Sequence, residues 1–297
     1  MKKVRLIYNP RAGMGITSVA MSLDRISTLY ASRGFELEQC KIDFSVDASA
    51  LVEGLDEECY DHLLIAGGDG TVNYVVNAMF AAGVDLPIGV TPAGTANDFA
   101  SAIGIRGGVV EVCRQILDCK PRLTDVGVVN GRYFVNVFSF GVFTNVSQHT
   151  PTHLKNVIGK AAYVVGGAVD FVTMHQIPLE IRSDGGDWDG NALIALAFNG
   201  RTAGSFPLAR MAEVDDGMLD VLVLKAGAVP ALTAVPTFLQ CILGATNELP
   251  RDVLHFRCSR MTISSTRDEH TDIDGQPGPA LPVELECRAG ALRVFRP

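Results

Sequence analysis

The sequence has no CxxC pair and no cysteine–histidine cluster at zinc-ligand spacing, which excludes a zinc-finger type of site. Its seven cysteines are an odd number, so they cannot all pair; Cys40, Cys59, Cys113, Cys119, Cys241, Cys258 and Cys287 read as reduced core residues of a cytosolic protein. An excess of positive charge is also missing. With 25 Lys and Arg against 33 Asp and Glu, the formal charge is −8, and a basic nucleic-acid footprint is excluded. Residues 1–10 turn polar too early for a signal peptide and read as a first strand. Long apolar runs are scarce: residues 226–245 are uncharged over the length of a bilayer-spanning helix, but Pro230, Thr233, Pro236, Thr237 and Gln240 interrupt them. A partly buried helix is expected there. Internal repeats, low-complexity tracts and long linkers are absent, and 47% hydrophobic residues exclude disorder as the main state.

What is present is a chain of 297 residues, long enough for two domains with a core each. Up to about residue 120, strand and helix signals alternate, as in a layered α/β domain with a largely parallel sheet. Residues 4–8 form a short apolar strand before a Gly-bearing loop. Val19, Leu23, Ile26, Leu29 and Tyr30 recur at helical spacing up to Gly34, 35–41 alternates as a strand, and a helix is expected from Ala48. Leu63–Ala66 has the continuous apolar character of a buried parallel strand. Val72, Val75, Val76 and Met79 then mark a helix closed by Gly83. Farther on, the pattern is mainly β. Strands are expected at 125–129 and 133–138 around the tight-turn pair Asn130-Gly131, and at 193–198, 218–224, 254–263, 283–288 and 292–295. Several have sandwich-like spacing. Helices are expected near 155–174 and 229–243, and 183–187 reads as a surface turn.

Two segments carry the chemistry. Gly67-Gly68-Asp69-Gly70-Thr71 places three glycines and a carboxylate between a buried strand and a helix, at the carboxyl end of a parallel sheet, where α/β folds bind ligands. Glycine lets backbone amides approach a phosphate closely, and Asp69 suits either a Mg²⁺ bridging phosphates or an attacking hydroxyl. Thr71 suits a helix cap or a phosphate contact. Gly94-Thr95-Ala96-Asn97-Asp98 follows a second strand, 87–90, with Thr95 or Asn97 as the ordinary helix cap and Asp98 as a second carboxylate. Alone, the first segment equally describes a Gly-rich turn, and the second is better read as a plain helix start. Two such loops in one sheet favour a cleft.

Together with Asn9-Pro10 and Gly13, these segments resemble the diacylglycerol kinase catalytic family in its soluble bacterial lipid-kinase branch. The resemblance continues, in order, through Asp125-Val126-Gly127, 133–136, Phe140-Gly141, Asn199-Gly200, 215–221 and Asp274-Gly275. It implies a nucleotide-binding α/β domain over 1–122, to which 289–297 return, and a β-sandwich lipid-kinase domain over 123–288, with ATP and Mg²⁺ in a cleft between them. It further implies that Asn9, Pro10, Arg11, Ala12, Gly13, Gly67, Gly68, Asp69, Gly70, Thr71 and Thr95 line the nucleotide phosphates. Asp69, Asp98 and the position of Gln276 are the implied catalytic residues. Glu213, Asp216 and the main-chain carbonyl of Met218 match the family's structural Mg²⁺ site. Without the family, 213–217 is an acidic hairpin turn.

Three positions depart from the family. Gln276 stands where an Asp-Gly-Glu triplet supplies the base, Met14 where a Lys is common, and Ser101 where an Arg is common. A glutamine amide orients a hydroxyl but does not take its proton. Arg11 and Lys160 are alternative sources of positive charge. The expected activity is ATP-dependent phosphorylation of diacylglycerol or a related membrane lipid, with a nucleotide- or lipid-binding regulatory module and an NAD kinase as alternatives. The expected location is cytoplasmic and peripheral at the inner membrane face; a homodimer is allowed. Since an acidic protein is repelled on average by an anionic surface, docking is expected through a local apolar or basic patch, tested around 138–143 and 226–245, although Phe138, Phe140, Val142 and Phe143 suit a core better.

Overall fold

The structure, a computed structural model, describes residues 2–10, 12, 19–141, 175–201, 212–227 and 251–297. The expected helices near 155–174 and 229–243, together with Arg11, Gly13, Met14, Val142, Phe143 and Lys160, lie outside them. The chain divides into two compact units, Met1–Asp125 with Gly290–Pro297, and Val126–Ala289.

In the first unit, β1 (Lys3–Tyr8) lies between β2 (Glu36–Lys41) and β3 (Tyr60–Gly67), and β4 (Ile88–Pro92) pairs with β3, all parallel. The end of β15 (Val283–Phe295) adds Val294 beside Ile88. The helices are α1 (Leu23–Ser32), α2 (Asp69–Ala82), α3 (Asp98–Ala102) and α4 (Val109–Asp118). On α4, Val109, Val112, Cys113 and Ile116 are buried at helical spacing and form one apolar face. Gly89 of β4 admits that face: a Cβ there would lie 2.9 Å from Ile116 Cδ1. Gly83 closes α2 in the left-handed conformation, as its position in the sequence predicts. The helix expected from Ala48 is only a single 3₁₀ turn, Ala48–Leu51. Asp47 accepts the Ser49 amide at its start, and Gly54 at φ +71° follows soon after its end.

The second unit is built from antiparallel strands and closes on an apolar cluster that includes Phe134, Phe138, Phe140, Ile181, Val221 and Leu285. Its strands are the end of β5 (Pro121–Val129), then β6 (Arg132–Phe134), β7 (Val137–Gly141), β8 (Ile177–Ser183), β9 (Trp188–Phe198), β10 (Leu219–Lys225), β11 (Val253–Cys258), β12 (Arg260–Ser265), β13 (Thr271–Ile273), β14 (Gln276–Pro277) and the start of β15. β9 is shared: its first half pairs with β8, and its second half pairs with both β7 and β10. Asn130 (φ +46°) and Gly131 (φ +80°) form the tight turn between β5 and β6.

Two expected strands are each broken in two. The segment 133–138 splits into β6 and β7, because the Asp274 carboxylate takes up the amides of Val135, Asn136 and Val137 at 2.8, 3.0 and 2.9 Å. The segment 254–263 splits into β11 and β12 at Ser259, whose amide and hydroxyl, with the Arg260 amide, bind the Asp184 carboxylate. Conversely, 283–288 and 292–295 are one strand, β15, which passes through Gly290 at φ +60°.

Phe138 and Phe140 are 1% and 0% exposed, so they are core and form no membrane-contacting patch. Of the six described cysteines, Cys113, Cys258 and Cys287 are buried, while Cys59 is exposed and Cys40 and Cys119 are half-buried. None of the six forms a disulfide, and burial pushes the Cys113 and Cys258 thiols up to about 12. Among the described residues, no helix is long and apolar enough to cross a membrane.

Candidate functional site

At the carboxyl ends of β1, β3 and β4, main-chain hydrogen bonds tie the loops after β1 and β4 to the last residues of β3. The Asn9 amide donates to Ala66 O at 3.1 Å, and the Ala93 amide donates to Gly67 O at 2.9 Å. The glycines permit this closeness. A Cβ on Gly94 would lie 2.4 Å from Gly68 Cα, and one on Gly67 would lie 2.5 Å from the Thr71 side chain. Gly68 itself has an ordinary extended backbone (φ −95°), so what the first motif needs here is space.

The two loops are also joined through a carboxylate. Asp69 Oδ1 accepts the Phe99 amide at 2.9 Å, which links the first turn of α2 to that of α3. Asp98 is 5% exposed beside that junction in the chain. Asn97 folds back on its own loop: its Oδ1 accepts the Gly94 amide at 2.7 Å, and its Nδ2 donates to Gly94 O at 2.8 Å. It occupies the cap position of α3 in the left-handed conformation but makes no side-chain cap bond. Thr71 is no cap either; it is buried inside the first turn of α2, whose cap position is Gly68. Thr95 and Gly70 are exposed, and Asn9 and Pro10 are half-buried. Of the predicted phosphate-lining set, Gly67 ends β3, and Asn9, Pro10, Ala12, Gly68, Asp69, Gly70, Thr71 and Thr95 belong to the loops or helix start at this end of the sheet. Main-chain amides at the start of the 14-residue helix α2 give that end of the sheet the character of an anion site.

The remaining motifs meet in the second unit and are largely architectural. Asp274, at φ +50°, binds the three amides named above, and its own amide donates to Val137 O. The Gly275 amide donates to Asp272 Oδ1 at 2.8 Å. Asn199 holds the same stretch from the other side, through Nδ2 to Val135 O and its amide to Asn136 O. Gly127 leaves room for the Phe134 ring, which a Cβ would meet at 2.1 Å. On β14, Gln276 Oε1 accepts Arg132 Nη2 at 3.2 Å while Arg132 Nη1 donates to Pro277 O at 2.6 Å. The guanidinium has only donors, so it claims the glutamine oxygen and leaves the amide nitrogen as the donor end. Sequence reasoning had no reason to single out Arg132, Asp184 or Asp272; the only signal for Arg132 was its place right after the Asn130-Gly131 turn.

At the acidic turn before β10, Glu213 is exposed, and Asp216 Oδ1 accepts the Met218 amide at 3.0 Å while Oδ2 pairs with Arg257 Nη2. Burial raises the Asp216 carboxyl above the usual carboxylate range. Among the described residues, no group of three or more His, Cys, Asp or Glu is arranged to hold a metal ion.

Residues 3–129 match the family model described as diacylglycerol kinase catalytic domain, and residues 136–296 match that of the YegS C-terminal NAD kinase beta sandwich-like domain. Proteins named diacylglycerol kinase from Staphylococcus aureus strains JH9 and Newman are 31% identical over 297 residues, covering all of this chain and 93% of theirs. Two solved structures from Bacillus anthracis str. Sterne share the fold. One superposes with TM-score 0.82 at 24% identity, and the other, titled as a diacylglycerol kinase, with TM-score 0.78 at 22%; both comparisons cover all of this chain and 97% of the other. The α/β unit with its tied glycine loops and the β-sandwich that follows are those of the diacylglycerol kinase catalytic domain family, to which this chain belongs.

Proposed function

We propose that the protein is an ATP-dependent lipid kinase that transfers the γ-phosphoryl group of ATP to a hydroxyl of diacylglycerol or a related membrane lipid. The observation that carries this reading is the junction of the two glycine loops, held glycine against glycine and bridged by Asp69 and the Phe99 amide. In this reading, residues 1–122 with 289–297 bind the nucleotide and 123–288 form the lipid-kinase sandwich. The α2 amides and the loops at Asn9, Gly68 and Thr95 receive the phosphates. Asp69 and Asp98 would hold the magnesium that arrives with the nucleotide, and that ion neutralises phosphate charge. The protein works in the cytoplasm, peripherally at the inner face of the membrane.

Proton transfer distinguishes this chain within that scheme. With its oxygen on Arg132, Gln276 presents N–H donors and no base, so it orients an oxygen without accepting a proton. Phosphoryl transfer rests mainly on positioning and charge, with Asp69 or Asp98 as the available carboxylates. The same Arg132–Gln276 contact favours a second reading, a regulatory module that binds nucleotide or lipid with little turnover.

The test is incubation of the purified protein with γ-labelled ATP, Mg²⁺ and a panel of lipids bearing free hydroxyls. Labelled lipid is expected, and Asp69→Asn should reduce it by about 100-fold or more while leaving the fold intact, because the asparagine oxygen still accepts the Phe99 amide. No labelled lipid from any member of the panel, with ATP binding retained, establishes the regulatory reading.

A further inference from the structure

The acidic turn that precedes β10 is where the family resemblance places a structural Mg²⁺, on Glu213, Asp216 and the Met218 carbonyl. The side chains in this chain do not fit that ion. A small hard cation asks for several oxygens free to converge in near-octahedral geometry. Both Asp216 oxygens have other donors: Oδ1 takes the Met218 amide at 3.0 Å, and Oδ2 takes the Arg257 guanidinium. Glu213 is exposed to solvent.

Register explains how the guanidinium arrives there. β11 runs antiparallel to β10 with Arg257 directly opposite Asp220 and Cys258 opposite Leu219. From that position, the Arg257 side chain spans two carboxylates. Its Nη2 pairs with Asp216, and its Nε lies 3.6 Å from Oδ2 of Asp220, whose side chain is 3% exposed. The other Asp220 oxygen is bound by His255 Nε2 at 2.9 Å. The turn itself is closed by Gly217 at φ +74°. A fixed positive charge thus lies where the two carboxylates would attract a cation, supplied covalently by the neighbouring strand.

We propose that Arg257 is a built-in cation that takes the place of the structural divalent ion at the Asp216 turn, so that the sandwich of this protein is stable without magnesium. A planar guanidinium can reach two carboxylates at once, and unlike a bound ion it cannot dissociate when magnesium is scarce. Any magnesium requirement of the activity then belongs to the nucleotide alone.

The experiment needs neither nucleotide nor lipid, so its outcome is independent of the kinase reading. Thermal unfolding of the whole chain is measured in EDTA and in MgCl₂, and Mn²⁺ binding is followed by electron paramagnetic resonance, for wild type, Arg257→Met, Arg257→Lys and Asp216→Asn. For wild type, Tm should agree within about 1 °C between EDTA and MgCl₂, with no Mn²⁺ signal that Asp216→Asn removes. In EDTA, Arg257→Met should lower Tm by about 5 °C. Mg²⁺ should recover most of that loss, through a new Mn²⁺ site that disappears in the double variant with Asp216→Asn. Arg257→Lys keeps a cation and should stay insensitive to magnesium. A wild-type Tm that rises by several degrees with Mg²⁺ and loses that rise in Asp216→Asn overturns the proposal. So does an Arg257→Met protein that no divalent ion restores. If Arg257→Met does not fold, the wild-type magnesium and Mn²⁺ measurements decide alone.

Discussion

Removing the Asp274 carboxylate should unfold the second unit more readily than any surface substitution. Asp274 receives three main-chain amides, from Val135, Asn136 and Val137, residues that are 0%, 3% and 9% exposed. A hydrogen bond to a charged group contributes about 1.5–3 kcal/mol, and a buried amide left without an acceptor costs about the same, so Asp274→Ala should lose roughly 4–5 kcal/mol once the sharing of one carboxylate is allowed for. Alanine at φ +50° adds about 1 kcal/mol of backbone strain. At about 2–4 °C per kcal/mol for a unit of this size, Tm should fall by about 10–20 °C. Asp274→Asn keeps Oδ1 for the Asn136 and Val137 amides but sets an NH₂ against the Val135 amide, which should cost about 2 kcal/mol. Asp274→Gly, free of the φ strain, should be slightly more stable than Asp274→Ala. Far-UV circular dichroism melts give the order, and hydrogen exchange should show accelerated amides at 135–137 in the alanine variant. A melt of Asp274→Ala within about 3 °C of wild type, or Asp274→Asn as damaging as Asp274→Ala, would refute the reasoning.

Gly94→Ala would set a methyl 2.4 Å from Gly68 Cα, backbone against backbone, so the loops must part. Stability should fall by about 1–3 kcal/mol, and calorimetry should show at least a tenfold weaker affinity for a non-hydrolysable ATP analogue; unchanged affinity would separate the loop junction from the nucleotide. Gln276→Glu should raise turnover by much less than the 10²- to 10⁴-fold range of a well-tuned base, because Arg132 would hold the new carboxyl low; adding Arg132→Met should release the remainder. Hydrogen bonds from Ser259 hold the Asp184 carboxyl below the usual carboxylate range, and one from His62 does the same for Asp61. A carboxyl with a depressed folded pKa adds stability that is present above the unfolded pKa of about 4 and is lost as pH falls through the folded value. Asp184→Ala should therefore destabilise at neutral pH and flatten the acid limb of a Tm-against-pH curve. An unaltered acid limb would show that the Ser259 contacts do not form.

The first unit was legible almost element by element, since β1, β3, α1 and α2 are made by contiguous residues whose periodicity and terminal glycines act locally. The glycine loops were legible as chemistry but not as packing. That Gly94 presses on Gly68, and that Asp69 serves as acceptor for Phe99, depends on two strand ends being neighbours. In the second unit, the apolar strands were found, yet two were read as continuous. The breaks come from Asp274, 139 residues from Val135 in the chain, and Asp184, 75 residues from Ser259. No local pattern at the broken strand announces an acceptor that distant. The acidic turn at 213–217 was legible as a turn, but its ion-pair partner for Asp216, Arg257, stands on another strand.

By itself, then, the sequence determined most strands and helices of the α/β half, though not α4 or the shortness of the turn at Ala48–Leu51, as well as where the glycine-rich turns fall and which family the chain belongs to, because these depend on neighbouring residues and on motif order. Only the tertiary structure decided which donor each side-chain oxygen takes: Asp69 the Phe99 amide, Asp274 three amides of a broken strand, Asp216 the Arg257 guanidinium, and the neutral amide oxygen of Gln276 the Arg132 guanidinium. The physical reason is that a buried or half-buried acceptor oxygen takes the best donor the fold brings within about 3 Å, and which donor that is depends on strand register and loop closure, not on sequence proximity.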